Sequence, residues 1–379
     1  MAEVFYQHSK LGILGGGQLG RMLIQSGIDF NINFSVLDPD KEAPCKSLAE
    51  FTTGKLTDYE TVMAFGQSCD LITIEIENVN TKALAELVKL GKKVFPQPSV
   101  IELIQDKRTQ KEFYKANQIP TAEYILTQNK EEVIKNKDFL PAVNKLGREG
   151  YDGRGVQILR SEKELNKAFD SPGLLEKLID FEKEISVIVA RNEQGEICSY
   201  PAVEMTFHPT QNMVEYLFAP AAISKLVAKK ADDIARKVAD KIQIVGLLAV
   251  EMFVTRDGEV LVNEIAPRPH NSGHQTIEAN VTSQYEQHLR AILNLPFGDT
   301  SIIHPSAMVN LLGEDGYSGQ ASYQGLKEVL AIEGVHVHLY GKKMTKPFRK
   351  MGHVTIVDAD VESLKKKANF VKEHLKIIA

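Results

Sequence analysis

Residues 247–276 read LLAVEMFVTRDGEVLVNEIAPRPHNSGHQT, and two runs rich in Val and Leu flank the dipeptide Asp257-Gly258. Asp-Gly most readily supplies the two positive-φ positions of a tight turn, so the stretch predicts a β-hairpin. With Asp257 and Gly258 at the centre, Arg256 faces Glu259, and counting outward sets Glu251 opposite Glu264. Directly paired residues stand roughly 5 Å apart on one face of a sheet, where like charges repel. The pair therefore needs a proton, a basic partner or a cation. A hard divalent ion suits it, because Mg²⁺ takes oxygen ligands, commonly one or two carboxylates plus substrate phosphates, and Asn263 offers an amide oxygen next door. The alternative is a bulge or shifted register that turns one Glu to solvent. Glu251 and Glu264 are thus the candidate metal ligands of a nucleotide-phosphate site.

Directly after the hairpin, Ala266-Pro-Arg-Pro-His-Asn-Ser-Gly-His274 places a guanidinium, two imidazoles and an amide in one loop. Proline fixes φ and reduces the entropy lost when such groups are positioned. This composition points to a site rather than to a mere connection.

At 379 residues the chain is long enough for two or three domains, and 43% hydrophobic with 25% charged residues is ordinary globular composition. A net charge of -5 with interspersed signs argues against a nucleic-acid surface. Cys45, Cys69 and Cys198 are odd in number and far apart, which suggests neither a disulfide framework nor a zinc site. They read as buried small hydrophobes. No apolar run approaches a membrane span and no signal-peptide core precedes the first strand, so a reducing cytoplasm is the expected compartment.

Working along the chain, residues 10–38 predict a βαβ unit with Gly15-Gly16-Gly17-Gln18-Leu19-Gly20 as its turn and Asp38 at the end of the second strand. This fits G-x-G-x-x-G, which taken alone suggests a nicotinamide cofactor. The same loop serves any phosphate that approaches a helix N-terminus. Leu71 to Glu77 reads as a strand ending in Glu75 and Glu77 at the carboxyl edge, where an open parallel sheet binds ligands, and Phe95-Pro96-Gln97-Pro98 marks a boundary. Asp106-Lys107-Arg108 opens an amphipathic helix. Gly147-Arg-Glu-Gly-Tyr-Asp-Gly-Arg-Gly155, between two strands, is a Gly-rich hairpin tip able to fold over phosphates, although it lacks the Walker G-K-[ST]. The strand Leu174 to Asp180, with Glu184 beyond it, offers backbone groups and a carboxylate of the kind an adenosine needs. Residues 225–244 predict a charged amphipathic helix, Gln284 to Leu293 another, and Val335 to Tyr340 a strand. Lys342, Lys343, Arg349 and Lys350 on Gly/Pro-punctuated turns suit a phosphate monoester.

GGGQLGRM at 15–22, EIENV at 75–79, DKRTQK at 106–111, GYDGRG at 150–155, VNEIAPRPHNSGH at 262–274 and YGK…RKMGH at 340–353 follow one another at spacings that resemble the N5-carboxyaminoimidazole ribonucleotide synthases, ATP-grasp enzymes of purine biosynthesis. The resemblance covers nearly the whole chain. It implies an α/β and α+β chain: a Rossmann-like pre-ATP-grasp domain at 1–104, an ATP-grasp domain at 105–300 with a lid near 118–178, and a small β-rich C-terminal domain at 301–379. It implies carboxylation of 5-aminoimidazole ribonucleotide with bicarbonate, ATP going to ADP and phosphate, with Mg²⁺ (Mn²⁺ as an alternative) and a homodimer.

By motif position, the resemblance gives Lys107 and Lys145 to the ATP phosphates, and Gly150, Tyr151, Asp152, Gly153, Arg154, Gly155 and Val156 to the loop over them. Glu176, Lys177, Leu178 and Ile179 would hold adenine, Glu184 the ribose, and Asn263 and Glu264 would complete the nucleotide site with Glu251 on the metal. Gln18, Leu19, Glu75, Asn271, Lys342, Arg349 and Lys350 would hold the ribotide, while Asp152, Arg268 and His270 lie nearest the carboxylation chemistry. Two positions depart from the family. Asn144 precedes the ATP lysine in place of an apolar residue, and Glu204-Met205 replaces Glu-Asn before an insertion, which bears on His208 as a nucleotide contact. A formate-using glycinamide ribonucleotide transformylase is the sibling alternative; it shares the PRPH loop but usually carries an acidic residue where Asn271 stands. A nicotinamide dehydrogenase rests on the glycine motif alone. A non-catalytic nucleotide-binding module would not need the Glu251–Glu264 pair.

Overall fold

The computed structural model describes residues 9–148, 150, 155–207 and 214–379. Tyr151, Asp152, Gly153, Arg154 and His208 lie outside them. The N-terminal unit is a five-stranded parallel sheet of β1 (Lys10–Leu14), β2 (Asn33–Asp38), β3 (Glu50–Thr53), β4 (Leu71–Ile74) and β5 (Lys93–Val94), in the order β3-β2-β1-β4-β5. β1 and β4 are almost wholly buried on both faces, as parallel strands between helical layers are. The helix Gln18–Ile28 covers one face together with Tyr285, Leu289 and Ile292 of the later helix Gln284–Ile292, so the first and second units share a core. β4 ends at Ile74, which leaves Glu75 and Glu77 beyond the strand at its carboxyl edge.

A four-stranded antiparallel sheet follows: β6 (Tyr124–Thr127), β7 (Ala142–Leu146), β8 (Val156–Leu159) and β9 (Gly173–Lys177), ordered β6-β9-β7-β8. Asn144 sits in its middle with 1% exposure. Its amide donates to Leu174 O at 3.1 Å and accepts from Phe169 N at 2.8 Å, so both polar ends are satisfied and the polar substitution is accommodated.

The largest sheet comprises β10 (Phe181–Arg191), β11 (Ile197–Ser199), β12 (Val203–Phe207), β13 (Val214–Ala219), β14 (Gly246–Thr255), β15 (Val260–Ala266), β16 (Ser306–Leu312) and the strands Lys350–Val357 and Val335–Leu339. Its path runs β15-β14-β10-β12-β13-β16 and on through those last two, so the C-terminal strands extend the same sheet. The helix Lys225–Ile242 packs Ala231, Ala235 and Val238 against Val250, Met252 and Val254 of β14. The alternate positions Glu251 and Phe253 are thereby turned to the opposite, partly open face.

The hairpin β14–β15 forms, but its turn differs from the expected one. Thr255, not Arg256, faces Glu259: Thr255 N donates to Glu259 O and Gly258 N to Thr255 O, both at 3.0 Å, around the three-residue loop Arg256-Asp257-Gly258. Gly258 takes φ +79°, which closes such a loop at no steric cost. The pairing from this turn is one residue out of step, Val254 with Val260 and Met252 with Val262, until a bulge absorbs Asn263. Beyond it Glu251 faces Glu264 after all.

Candidate active site

The bulge explains how two neighbours in one strand serve one cleft. An extra residue in one strand re-aims its side chain and interrupts alternation, and Asn263 and Glu264 are indeed consecutive half-buried positions between buried Val262 and Ile265. Asn263 Oδ1 accepts from Lys145 Nζ at 3.0 Å, and its Nδ2 lies 3.4 Å from Glu184 Oε1. Glu264 Oε1 receives Lys107 Nζ at 2.5 Å. Glu184 lies on β10, on the other side of β14 from β15, and its carboxylate shares this face. Burial, then the charges of Glu184 and Glu264, push the Glu251 carboxyl up to about 8, and burial raises Glu184 to about 7. Dehydration and mutual repulsion thus oppose ionisation of Glu251 and Glu184, an environment that a divalent cation would relieve, whereas at Glu264 burial is outweighed by the Lys107 ammonium, which holds the carboxyl below its ordinary range. Among the described residues no three or more His, Cys, Asp or Glu side chains come together closely enough to hold a metal ion by themselves. The Glu251–Glu264 pair alone could supply only part of an oxygen shell, which phosphate oxygens would have to complete.

Cations line the same cleft. Lys107 begins the helix Lys107–Ala116, whose N-cap Asp106 accepts from Arg108 N at 3.0 Å, and Lys107 N donates to Gly147 O at 2.7 Å, tying the Gly-rich tip to this helix. Lys145 Nζ and Lys111 Nζ each lie 2.5 Å from Glu176. Burial alone would raise the Glu176 carboxyl, but the two ammonium groups outweigh it and hold it down at about 2. Glu176, expected as an adenine contact, is here the buried anchor of two lysines. Lys111 was not among the candidates, because a basic residue on an amphipathic helix reads as solvated. Of the residues expected at an adenine edge, Lys177 N and Leu178 N are already bonded to Glu123 O and Pro141 O at 2.8 and 3.1 Å. Gly150, Gly155, Val156 and Ile179 lie at the tip and edge of this lid, around the strands that carry Lys145 and Glu176.

The second half of the cleft joins the N-terminal sheet to the PRPH loop. The Gly-rich turn holds a carboxylate of the chain itself: Glu75 Oε1 accepts from Leu19 N at 3.2 Å, and a Cβ on Gly17 would fall 2.4 Å from that oxygen. Burial raises Glu75 to about 7, partly offset by Arg268. Asp38, the acid a dinucleotide would need for its ribose, accepts instead from Gly16 N at 2.6 Å and Asp40 N at 2.7 Å. Both features remove the dehydrogenase reading. Arg268 Nε lies 2.9 Å from Glu77 Oε1, the second carboxylate of the strand-edge pair, whose pairing with Arg268 the sequence does not reveal. Gln18 opens the helix that Leu19 continues.

His270 caps the short turn Asn271–Gly273 by accepting from Ser272 N at Nδ1, 3.3 Å away, and its Nε2 stands 3.6 Å from Glu251 Oε1. Burial, then the nearby charges of Arg268 and Lys350, hold His270 well below its usual range, so the ring is neutral. With Nδ1 turned to Ser272, the neutral ring carries its proton on Nε2, facing Glu251. Asn271 forms a reciprocal amide pair with Asn310 of β16, 2.9 Å in each direction. Asn310 was not legible in sequence, since its partner lies 39 residues away. Farther along, Lys342 Nζ donates to Lys350 O at 2.8 Å and Arg349 Nη1 to Met344 O at 2.7 Å. Arg21 approaches the same turn, 3.7 Å from where a Cβ on Gly341 would lie, and Lys343 pairs with Glu42 of the N-terminal unit. Lys342, Lys343 and Met344 also border an open depression of about 490 Å³, which none of the carboxylates lines.

Family models match in chain order: Ribonucleotide synthetase preATP-grasp domain over residues 8–105, ATP-grasp domain over 112–285, and Phosphoribosylaminoimidazole carboxylase C-terminal domain over 306–367. The N5-carboxyaminoimidazole ribonucleotide synthase of Bacillus subtilis (strain 168) is 38% identical over 363 residues, 94% of this chain and 93% of that protein. The chain belongs to the N5-carboxyaminoimidazole ribonucleotide synthase family. Among solved members, the Thermotoga maritima synthetase superposes with a TM-score of 0.91 at 44% identity, covering 98% of this chain and 99% of that one. The Aspergillus clavatus synthase in complex with ADP and 5-aminoimidazole ribonucleotide gives 0.88 at 34% identity over 97% of this chain and 98% of that one. The two halves of the cleft meet where His270 Nε2 stands 3.6 Å from Glu251 Oε1. Among the described residues no helix is long and apolar enough to cross a membrane.

Proposed function

We propose that this chain uses ATP and bicarbonate to carboxylate the exocyclic amine of 5-aminoimidazole ribonucleotide, releasing ADP, phosphate and the N5-carbamate, a step of purine biosynthesis. The observation that carries this reading is the convergence of one set of carboxylates and lysines with Glu75 and the Arg268–Asn271 loop in a chain of this family. The domain limits follow the family organisation: 1–104, 105–300 and 301–379, acting as a homodimer in the cytoplasm.

Bicarbonate is a poor electrophile. One of its oxygens attacks the γ-phosphorus of ATP, the bond to the β-phosphate oxygen breaks, and ADP leaves carboxyphosphate. Lys107 and Lys145 bind the phosphates and neutralise the charge that spreads over the transferring group. Glu251 and Glu264, with Asn263 beside them, would hold Mg²⁺, which supplies further charge neutralisation there. Lys107 leaves Glu264 for a phosphate when nucleotide enters, so the ion pair at 2.5 Å is the resting contact of a mobile cation. The Gly150–Gly155 tip excludes water, which would otherwise consume the anhydride.

The ribotide lies between the Gln18–Leu19 turn with Glu75 and the loop at Asn271, its phosphate on Lys342, Arg349 and Lys350. Its amine attacks the carboxyl carbon of carboxyphosphate, or CO₂ released from it, and phosphate departs with the C–O electron pair. The amine proton goes to His270 or Asp152. Neutral His270 has the protonation state a base needs, and its ring must turn away from Ser272 to offer Nδ1. The sibling reading is tested by supplying each acceptor pair. ADP release is expected with aminoimidazole ribonucleotide plus bicarbonate, and formate-dependent turnover of glycinamide ribonucleotide would overturn the assignment.

A further inference from the structure

Gln284, the first residue of the helix Gln284–Ile292, is fully buried, and its side-chain amide brackets one peptide residue of the PRPH loop. Its Oε1 accepts from His270 N at 2.9 Å and its Nε2 donates to His270 O at 2.7 Å. A side chain here makes the donor–acceptor pair that a neighbouring strand would make. The same Nε2 lies 3.3 Å from His274 Nδ1. Gln284 N donates to Thr276 Oγ1 at 2.8 Å, which donates to Gly273 O at 2.6 Å, so the loop is tied to the helix start at both ends. Gly273 packs closely against the amide: a Cβ there would come within 2.6 Å of Gln284 Cδ and 2.2 Å of Ile188 Cδ1. Seen from the cleft, the bracketed residue is the one whose ring faces Glu251, while Asn271 next to it and Arg268 two residues before it hold Asn310 and Glu77.

We propose that Gln284 is a positioning residue for the carboxylation step. Its amide fixes the His270 backbone, and through it the directions in which Arg268, the His270 ring and Asn271 meet the acceptor. This rests on the reading that the loop holds aminoimidazole ribonucleotide. The interaction needs an acceptor and a donor in fixed order, which an amide supplies at every pH and a carboxyl group supplies only while protonated. Gln284→Glu converts that requirement into a pH readout. Protonated, its O–H replaces Nε2 as donor to His270 O; ionised, two oxygens face each other. Burial raises a carboxyl, which brings this titration into the neutral range. His274 is the ionisable side chain bonded to the amide, with Tyr285 Oη 3.0 Å behind it, and burial keeps His274 well below its usual range, so it is neutral beside the native amide.

The test follows ADP release by wild type, Gln284→Glu and Gln284→Met from pH 6.5 to 9, with unfolding curves and the KM for ATP taken at each pH. Misplacing a catalytic geometry by about 1 Å reduces rate by about 100-fold. Gln284→Glu is therefore expected within about 3-fold of wild-type kcat at pH 6.5 and about 10–100-fold below it at pH 9, with KM for ATP unchanged. Gln284→Met is expected to be low at every pH. A folded Gln284→Met with wild-type kcat overturns the proposal, as does a Gln284→Glu deficit that does not change with pH. Should Gln284→Glu fail to fold, Gln284→Met decides: reduced kcat at unchanged KM for ATP supports the proposal and wild-type kcat refutes it. Wild-type protein that releases no ADP with aminoimidazole ribonucleotide and bicarbonate would instead remove the functional reading beneath it.

Discussion

Replacing Glu176 by Gln removes the one anion that two buried lysines share. Glu176 and Lys111 are 5% and 3% exposed at their side chains and Lys145 is 10% exposed, so water cannot take over the lost contacts. The magnitude comes from linkage. Holding the carboxyl at about 2 instead of its ordinary 4.5 corresponds to about 3 kcal/mol of stability at neutral pH, at 1.36 kcal/mol per pH unit. This agrees with the 3–5 kcal/mol typically lost when one partner of a buried ion pair is removed. Because the folded value lies below the unfolded one, the contribution is complete above pH 4.5 and is lost as pH falls through 2. At pH 3.5 about 2 kcal/mol of it remains. Urea unfolding of wild type and Glu176→Gln, followed on the ATP-grasp transition at pH 7 and pH 3.5, should show a gap near 3 kcal/mol that narrows in acid. A gap under about 1 kcal/mol at pH 7, or one that stays constant with pH, would refute the assignment of Glu176 as charged anchor.

Glu264→Gln should fold normally and lose ATP turnover by orders of magnitude at saturating Mg²⁺, because an amide cannot replace the charge shared with Lys107; unchanged turnover would remove the metal assignment. Removing Lys342 or Arg349 should weaken the ribotide by about 1.5–3 kcal/mol in calorimetry while ATP affinity stays within a factor of two, and equal loss for both would contradict their placement at the ribotide phosphate. Gly17→Ala places a methyl 2.4 Å from Glu75 Oε1, so Glu75 must move: ribotide KM should rise about 10-fold or more with ATP KM unchanged, and a wild-type ribotide KM would show Glu75 is not a substrate contact.

The hairpin shows how far the sequence could carry the fold. Two errors of one residue cancelled: the turn holds three residues rather than two, and the bulge at Asn263 restores the register, so Glu251 meets Glu264 by a route that alternation alone does not reveal. Element positions were legible because strong apolar periodicity marks them, as in β14 and in the helix Lys225–Ile242. Contacts between distant segments were not. Lys111 looks like any surface lysine until β9 brings Glu176 beside it, and Asn310 and Gln284 act on the loop through folding that places them there. The glycine motif was legible but ambiguous, and only the sight of Glu75 filling the turn and Asp38 bonded to Gly16 separates it from a dinucleotide site.

The central claim is that ATP activates bicarbonate for transfer to the amine of aminoimidazole ribonucleotide. The most direct test supplies bicarbonate labelled with oxygen-18 and examines the inorganic phosphate by mass spectrometry. Attack of a bicarbonate oxygen on the γ-phosphorus predicts one labelled oxygen in each phosphate, formed together with one ADP and one carbamate. Phosphate that takes its oxygen from water, or whose release does not depend on bicarbonate, would contradict the account.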